Sequence, residues 1–373
     1  MKAAVTPSMR VLMTADTVGG VWTYAIDLVR ALSAEGIEVA LATMGNPPSP
    51  QQRSDARSVA ELGVFESSFR LPWMEEPWED VRHARGWLLD LTSHIQPDIV
   101  HVNEPVYASS GFGVPTVAVG HSCVLSWWQS VWSSPAPPEW KRYRTEMSRG
   151  FGSADAVIAP SRSMLLELQR YYGVEQGIVI SNGRDGTHLG PGAKEKIVFA
   201  AGRVWDAAKN FIALDKAAER LEWPVYVAGE QQQPHGHVSV QAGHMRMLGG
   251  LEARDVALWL ARASIYAFPA RYEPFGLSVL EAALSGCALV LSDVPSLREQ
   301  WNGKAVFVAV DDPETLRLAI EALIHDPGLR HTLAMRARRH ALSLTPRRMA
   351  LAYTRVYSQL LSRRLPEDQA CAS

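Results

Sequence analysis

Cysteine is scarce in this chain. Among 373 residues there are three, Cys123, Cys287 and Cys371, and no C-x-x-C pair. An odd and widely spaced set excludes a disulfide scaffold of the secreted kind and a cysteine-based zinc site. A dominant charge is missing too. Thirty-seven basic residues face 39 acidic ones, a formal charge of −2, which argues against a dedicated nucleic-acid or anionic-membrane protein. No window approaches 18 uninterrupted apolar residues, so no transmembrane helix is expected. The first apolar run, near Met9–Met13, is too short for a signal peptide and is interrupted by Arg10. The expected location is the cytoplasm.

Three ligand motifs are also lacking. There is no G-x-G-x-x-G, the nearest approach being Gly111-Phe-Gly113, and no G-x-x-x-x-G-K-[ST]. A dinucleotide dehydrogenase and a P-loop NTPase are therefore poorly supported. No D-x-D pair is visible; Asp311 and Asp312 are adjacent, in an expected loop. No metal site and no cofactor are expected.

What the chain does have is apolar material. It is 47% hydrophobic and 20% charged, and its length corresponds to about two domains. At this size roughly three quarters of the surface can be buried. Val11–Met13 is a short apolar run followed by a polar, glycine-containing stretch, Thr14 to Gly20. Val21, Ala25, Leu28, Val29 and Leu32 then recur at helical spacing, with Gly36 as the stop. Val39–Ala42 reads as the next buried strand. Strand, helix and strand within about 35 residues make a βαβ unit, hence a parallel sheet.

The rhythm continues through Asp98–Val102, Thr116–Val119, Ala156–Ala159 and Ile178–Ile180. A stretch rich in turn formers follows, Asn182 to Gly186 and then Gly190-Pro191-Gly192. A second series runs Ile197–Ala201, Val225–Ala228, Ile265–Phe268, Ala288–Leu291 and Val306–Val308. The expected organisation is a doubly wound α/β chain in two halves that would enclose a cleft. A first domain covers 1–185, a linker 186–194, a second domain 195–344, a final helix 345–365 and a tail 366–373. Thr345 caps that helix and Pro346 is its first residue. Its apolar face is Met349, Tyr353, Val356, Tyr357 and Leu360, and its other face carries Arg347, Arg348, Arg355, Arg363 and Arg364. A solvated face is the reading taken, with an interfacial membrane helix as the alternative.

Four local signals carry chemistry. Glu273 and Glu281 are separated by seven residues, with Phe275-Gly276 turning into a helix from Leu277. Glu281 is expected about two turns inside that helix and Glu273 just before it. The helix start offers free amides and a positive dipole end, suited to an anion flanked by hydroxyl groups. Gly202-Arg203 and Lys209 follow a strand end, where open α/β sheets bind ligands. Arg holds phosphate in two-pronged fashion and Lys acts as a point charge, although solvated surface cations would look the same. Gly19-Gly20 after the first strand lets a ligand approach the backbone. His121, beyond strand 116–119, and His101, at the end of the preceding strand, are either ligand contacts or structural hydrogen-bonders.

Taken together and in this order, these residues resemble the retaining GT-B glycosyltransferases of family GT4. The resemblance covers nearly the whole chain and includes Asp98–His101, Ala159-Pro-Ser161, Ser181-Asn-Gly183, Gly202-Arg203 with Lys209, and Tyr272–Gly276 through Glu281. It implies two Rossmann-like domains, the final helix crossing back to the first. It also implies transfer of a hexose, with retention, from a UDP- or GDP-sugar. Arg203 and Lys209 would hold the donor diphosphate, assisted by the amides of Phe275, Gly276 and Leu277. Glu281 would accept from the ribose hydroxyls and Glu273 from those of the transferred sugar. Gly20, beside Gly19, would lie against the donor from the opposite domain, and His121 near the reacting carbon. Gly249-Gly250-Leu251 would hold the base.

One stretch departs from the family, Gly229-Glu230-Gln231-Gln232-Gln233-Pro234-His235, where a glycine-rich turn is usual. Eight of the 12 tryptophans fall in the first half: Trp22, Trp73, Trp78, Trp87, Trp127, Trp128, Trp132 and Trp140. Trp127 and Trp128 stand where an acceptor should enter, with His101 as a weaker contact. Aromatic faces favour a sugar, glycan or other small acceptor over a lipid. A sugar phosphorylase, a nucleotide-sugar epimerase and a non-catalytic nucleotide-sugar binder are the alternatives.

Overall fold

Runs of β-branched and small apolar residues become parallel strands, and the amphipathic stretches between them become the crossovers. The computed structural model describes residues 8–232 and 242–370, with the side chains of the last helix through Arg363. Gln233, Pro234 and His235, Cys371 and the Arg364 side chain lie outside the described residues. Two units are distinguished. One comprises residues up to Ser126, Ala136–Gly183 and the chain from Pro346 onward; the other comprises Trp127–Pro135 and Arg184–Thr345. The break thus falls at Gly183–Arg184, ahead of the expected linker, and the short segment Trp127–Pro135 goes with the second unit. No helix among the described residues is long and apolar enough to cross a membrane.

The first unit holds strands β1 (Arg10–Asp16), β2 (Glu38–Met44), β3 (Val64–Glu66), β4 (Ile99–Val102), β5 (Thr116–Val119), β6 (Ala156–Ala159) and β7 (Ile178–Val179). They lie in the order β3-β2-β1-β4-β5-β6-β7, every neighbouring pair parallel. The order reverses between β1 and β4, which makes their C-terminal ends the place where this kind of sheet takes ligands. Sequence patterning missed β3, a three-residue edge strand with half-exposed side chains.

The final helix, Pro346–Ala370, belongs to this unit and runs past 365. Met349, Tyr353, Val356, Tyr357 and Leu360 are all buried, and Arg347, Arg348, Arg355 and Arg363 are exposed. What seats the helix is a hydrogen-bond chain beneath it. The Tyr24 hydroxyl donates to the Tyr353 hydroxyl at 2.6 Å, and the Tyr357 hydroxyl lies 2.6 Å from His101 Nδ1. His101 Nε2 faces Asn103 Oδ1 at 3.2 Å. Because Oδ1 only accepts, Nε2 carries the proton and Nδ1 accepts from Tyr357. Asn103 in turn donates from Nδ2 to the Thr14 carbonyl at 2.6 Å, tying β4 to β1. Burial lowers the His101 pKa to about 3 and pushes the Tyr24 and Tyr357 hydroxyls well above their usual value.

The second unit holds β8 (Glu195–Ala201), β9 (Val225–Ala228), β10 (Arg246–Gly249), β11 (Ala263–Phe268), β12 (Ala288–Ser292) and β13 (Val306–Val308). The order is β10-β9-β8-β11-β12-β13, again all parallel, so the reversal lies between β8 and β11. Two apolar clusters cover the two faces of this sheet. Phe199, Tyr266, Phe268, Leu289 and Trp301 belong to one, Val198, Phe211, Ile265, Val290 and Ile320 to the other. At the end of β9, Gly229 (φ 146°) approaches the turn after β8 so closely that an added Cβ would sit 1.7 Å from the Gly202 carbonyl oxygen. The backbone leading into Arg203 is therefore shaped by the absence of a side chain at 229.

Two outcomes are expected. Gly229→Ala forces Gly202 to move and should destabilise by about 2–3 kcal/mol, whereas Gly86→Ala, on an open face inside helix Trp78–Ile95, should stabilise by about 0.5–1 kcal/mol; opposite shifts in thermal midpoint check both. The second concerns pH. Unfolded, His101 titrates near 6.5; folded, it stays neutral down to about 3. The unfolded chain binds more protons between those values, so stability falls as pH drops below about 6.5, by about 1.4 kcal/mol per unit from this residue. Urea titrations near pH 7 and pH 5 should show a shallower loss in His101→Gln; an unchanged slope would refute the buried neutral imidazole. Tyr357→Phe, which strips Nδ1 of its donor, should cost about 1–3 kcal/mol at neutral pH.

Candidate active site

The chemistry-bearing residues of the second unit collect at the C-terminal ends of β8 and β11. After β8 the chain passes through Arg203 and Asp206 into a single 3-10 turn, Ala207–Lys209, and then helix Phe211–Ala218, entered through Asn210 at φ 55°. Arg203 Nη2 donates to Asp206 Oδ2 at 2.9 Å, and its guanidinium lies 5.3 Å from the Trp205 ring centroid. The Arg203 side chain is 41% exposed and that of Asp206 only 6%. Asp206 is thus a fixed base under a reachable cation. Its Oδ1 also accepts from the Ala208 amide at 3.0 Å and from Trp127 Nε1 at 3.3 Å.

Lys209 is more enclosed. Its Nζ donates to Glu273 Oε2 at 2.8 Å and lies 5.5 Å from the Phe268 ring. The other carboxylate oxygen of Glu273 accepts from the Gly276 amide at 3.0 Å and the Phe275 amide at 3.5 Å. These two amides, assigned from sequence to the diphosphate, therefore turn to Glu273 in this structure. Arg271 straps the two loops together. Its amide and its Nη1 donate to the carbonyls of Ala208 and Ala207, at 2.7 and 3.1 Å, while Asp311 holds its guanidinium and also accepts from Asn210 Nδ2. Ser296 Oγ donates to the Glu273 carbonyl.

Helix Leu277–Leu284 starts where it does because Gly276, at φ 92° and ψ 62°, adopts the left-handed conformation that only glycine enters without penalty. Its first turn carries no acidic residue and its N-cap residue makes no side-chain hydrogen bond; the negative group at its positive dipole end is the Glu273 carboxylate, through the Gly276 amide. This start puts Glu281 one turn inside the helix, not two. Glu281 Oε1 accepts from Arg184 Nε at 2.7 Å, both side chains being 18% exposed. Leu251 is half-buried against the core beyond β10, whose last residue Gly249 accepts from the Gly229 amide at 2.8 Å. The Glu230 carboxylate lies directly over Gly250.

In the first unit, Gly19 (φ 92°) is the N-cap of helix Gly20–Ala34, and both glycines are exposed at the end of β1. His121 Nε2 bonds Asn103 Oδ1 at 2.8 Å, and its ring meets Tyr24 edge-on at 4.4 Å. Burial, then the neighbouring His101, lowers its pKa, so it serves as a neutral hydrogen-bonding group. Glu104, at the end of β4, is pushed well above the ordinary carboxylate range by burial and by Asp16. His101 has no exposed surface and takes its partners inside the core. The acceptor contact assigned to it from sequence gives way to a structural role under the last helix.

The tryptophans divide as well. Trp22 is buried, and Trp73, Trp78, Trp87 and Trp140 pack on the first core. Trp127, Trp128 and Trp132, on helix Val124–Trp132, form their own cluster with centroids 5.7–6.4 Å apart. Sequence reasoning missed Asp206, Arg184, Asn103 and the Arg271–Asp311 pair. Asp206 alone had a local signal, standing three residues after Arg203.

Comparison with known proteins agrees with this geometry. The family model described as Glycosyltransferase Family 4 matches residues 18–187, and that of Glycosyl transferases group 1 matches residues 195–326. Among curated relatives, a glycogen synthase of Mycobacterium tuberculosis is 28% identical over 65% of this chain, and the match spans only 64% of that relative's length. A D-inositol 3-phosphate glycosyltransferase of Xylanimonas cellulosilytica is 26% identical over 93% of both chains. Of solved structures, sucrose-phosphate synthase from Thermosynechococcus elongatus superposes with a TM-score of 0.77 over 95% of this chain and 100% of its own, at 18% identity. Anabaena HepE, solved in complex with UDP-glucose, gives 0.74 over 94% and 100%, at 15% identity. With these two sheets, this pair of family matches and these neighbours, the chain belongs to the GT4 glycosyltransferases and has the GT-B fold.

Proposed function

We propose that the chain is a retaining glycosyltransferase. It moves a hexose from a nucleoside-diphosphate sugar, of the UDP or GDP kind, to a sugar, glycan or other small acceptor, without a metal ion. The observation that carries this reading is the placement of Arg203, Lys209 and the N-terminus of helix Leu277–Leu284 around the β8–β11 reversal. The UDP-glucose complex of the similarly folded HepE supports the donor class, and the inositol phosphate glycosyltransferases support a small polyhydroxyl acceptor.

As the bond from the sugar C1 to the diphosphate oxygen breaks, negative charge grows on the leaving group. Fixed cations and helix amides then stabilise the transition state more than the bound donor. Arg203 supplies a two-pronged guanidinium, Lys209 a compact charge and the Leu277 end of the helix its dipole. The acceptor oxygen bonds to C1 on the face the diphosphate leaves, and its proton passes to the departing phosphate oxygen. Retention then needs no protein nucleophile of the kind retaining glycosidases use. Glu273, locked by Lys209 and the Gly276 amide, accepts from hydroxyls of the transferred sugar. Glu281 accepts from the ribose, and Leu251 borders the base. Trp127 or Trp128 offers a stacking face to the acceptor.

Thermal shift against UDP, GDP, ADP and their sugars tests the donor: a nucleotide at 100 times its dissociation constant adds about 2.7 kcal/mol. A response to inorganic phosphate with none to any nucleotide would point to phosphorolysis and overturn the reading. With the donor known, Glu273→Gln should lower kcat by more than about 100-fold, about 3 kcal/mol of barrier, while nucleotide affinity stays near wild type. EDTA should leave turnover unchanged, and a loss restored by magnesium would refute the metal-independent step.

A further inference from the structure

Glu281 is held by a residue that enters the second unit at its very first position. Arg184 follows the Gly183–Arg184 break directly. Its backbone amide donates to the Leu344 carbonyl at 3.1 Å, just ahead of the point where the chain leaves the unit again at Thr345–Pro346. Its Nε reaches Glu281 Oε1 at 2.7 Å with both side chains largely enclosed. Arg184 is therefore pinned at its backbone by one element and at its side chain by another.

This matters for what Glu281 can do. A glutamate has three rotatable bonds, and a carboxylate that must accept from a vicinal diol needs its plane set before the ligand arrives. A guanidinium bond to one oxygen sets that plane and leaves the acceptor capacity of Oε2 for hydroxyls. The same bond offsets a negative charge that would otherwise face an incoming diphosphate. Of the pairs Arg203–Asp206, Lys209–Glu273 and Arg184–Glu281, two include a cation assigned to the diphosphate. In the third the acid is the ligand group, and the cation is what orients it.

We propose that Arg184 is a positioning residue for the donor's ribose: by fixing Glu281 it gives the enzyme its discrimination between ribose and 2′-deoxyribose nucleotides. This rests on the nucleoside-diphosphate reading of the site. It adds a residue that touches Glu281, not the reacting atoms.

Isothermal titration with UDP, 2′-deoxy-UDP, GDP and 2′-deoxy-GDP tests it in the full-length protein. Wild type is expected to bind the ribonucleotide of its preferred base about 10- to 100-fold tighter than the deoxy form, as for one hydrogen bond to a charged group. Arg184→Ala and Arg184→Gln should bring that ratio to within about threefold, and Arg184→Lys should restore part of it. Glu281→Ala should remove the ratio alone, with no further loss in the double variant, because both act through one contact. A merely structural Arg184 would weaken both sugars equally and keep the ratio, and that result in the folded Gln variant overturns the proposal. Wild type binding neither nucleotide would instead overturn the donor reading and take the proposal with it.

Discussion

Three cations at the C-terminal edge of the second sheet are each held by an acid: Arg203 by Asp206, Lys209 by Glu273 and Arg184 by Glu281. The rest of the site depends on this pairing. Long basic side chains carry much conformational freedom, and an unheld one would lose it only when the ligand arrived, at the expense of affinity. Held in advance, the guanidiniums and the ammonium are already ordered, and each pair is close to neutral. The pairs also differ in enclosure. Arg203 is the most open, with its acid buried beneath it, and Lys209 with Glu273 is the most enclosed. The open cation can change partner readily; the enclosed pair is a fixed wall.

Those pairs hold only because backbone geometry fixes the loops that carry them. Gly229 lets β9 close on the Gly202 carbonyl, and Gly276, in the left-handed conformation, sets where its helix begins. Arg271 and Asp311 bind the Lys209 turn to the loop leading into Glu273. In the first unit a different device serves a similar end. The His101–Tyr357 and Tyr24–Tyr353 bonds seat the last helix with directional polar contacts inside an apolar surround, where an unmade bond is expensive. The same Asn103 that orients His101 orients His121 at the sheet's edge.

Much of the fold was legible because parallel strands buried on both faces read as continuous apolar runs. Val39–Ala42, Thr116–Val119 and Val225–Ala228 are such runs, and each lies within its observed strand. The strands that escaped, β3 and β10, are at sheet edges; β10 opens with Arg246, ends in Gly249 and shifts register between Met247 and Gly249. An edge strand buries little and so leaves little pattern. Of the site, the segment from Glu273 to Glu281 was legible because its parts are contiguous, as were Arg203 and Lys209. For His101 the sequence offers both a ligand contact and a structural hydrogen bond and does not choose between them. A histidine at a strand end looks the same whether it faces a ligand or a tyrosine 256 residues further on.

The sequence by itself determined two doubly wound sheets and the residues that can bear charge where such sheets take ligands, since both follow from local period, turn chemistry and spacing, and its motifs together carried the resemblance to the family. Tertiary structure decided which acid holds which cation, where the helix behind Gly276 begins, which amides turn to Glu273, and that His101 and not solvent receives the Tyr357 hydroxyl. These are outcomes of side chains from distant parts of the chain competing for one small volume. That competition is settled by packing and hydrogen-bond satisfaction after the chain has closed, and no stretch of sequence read alone contains both competitors.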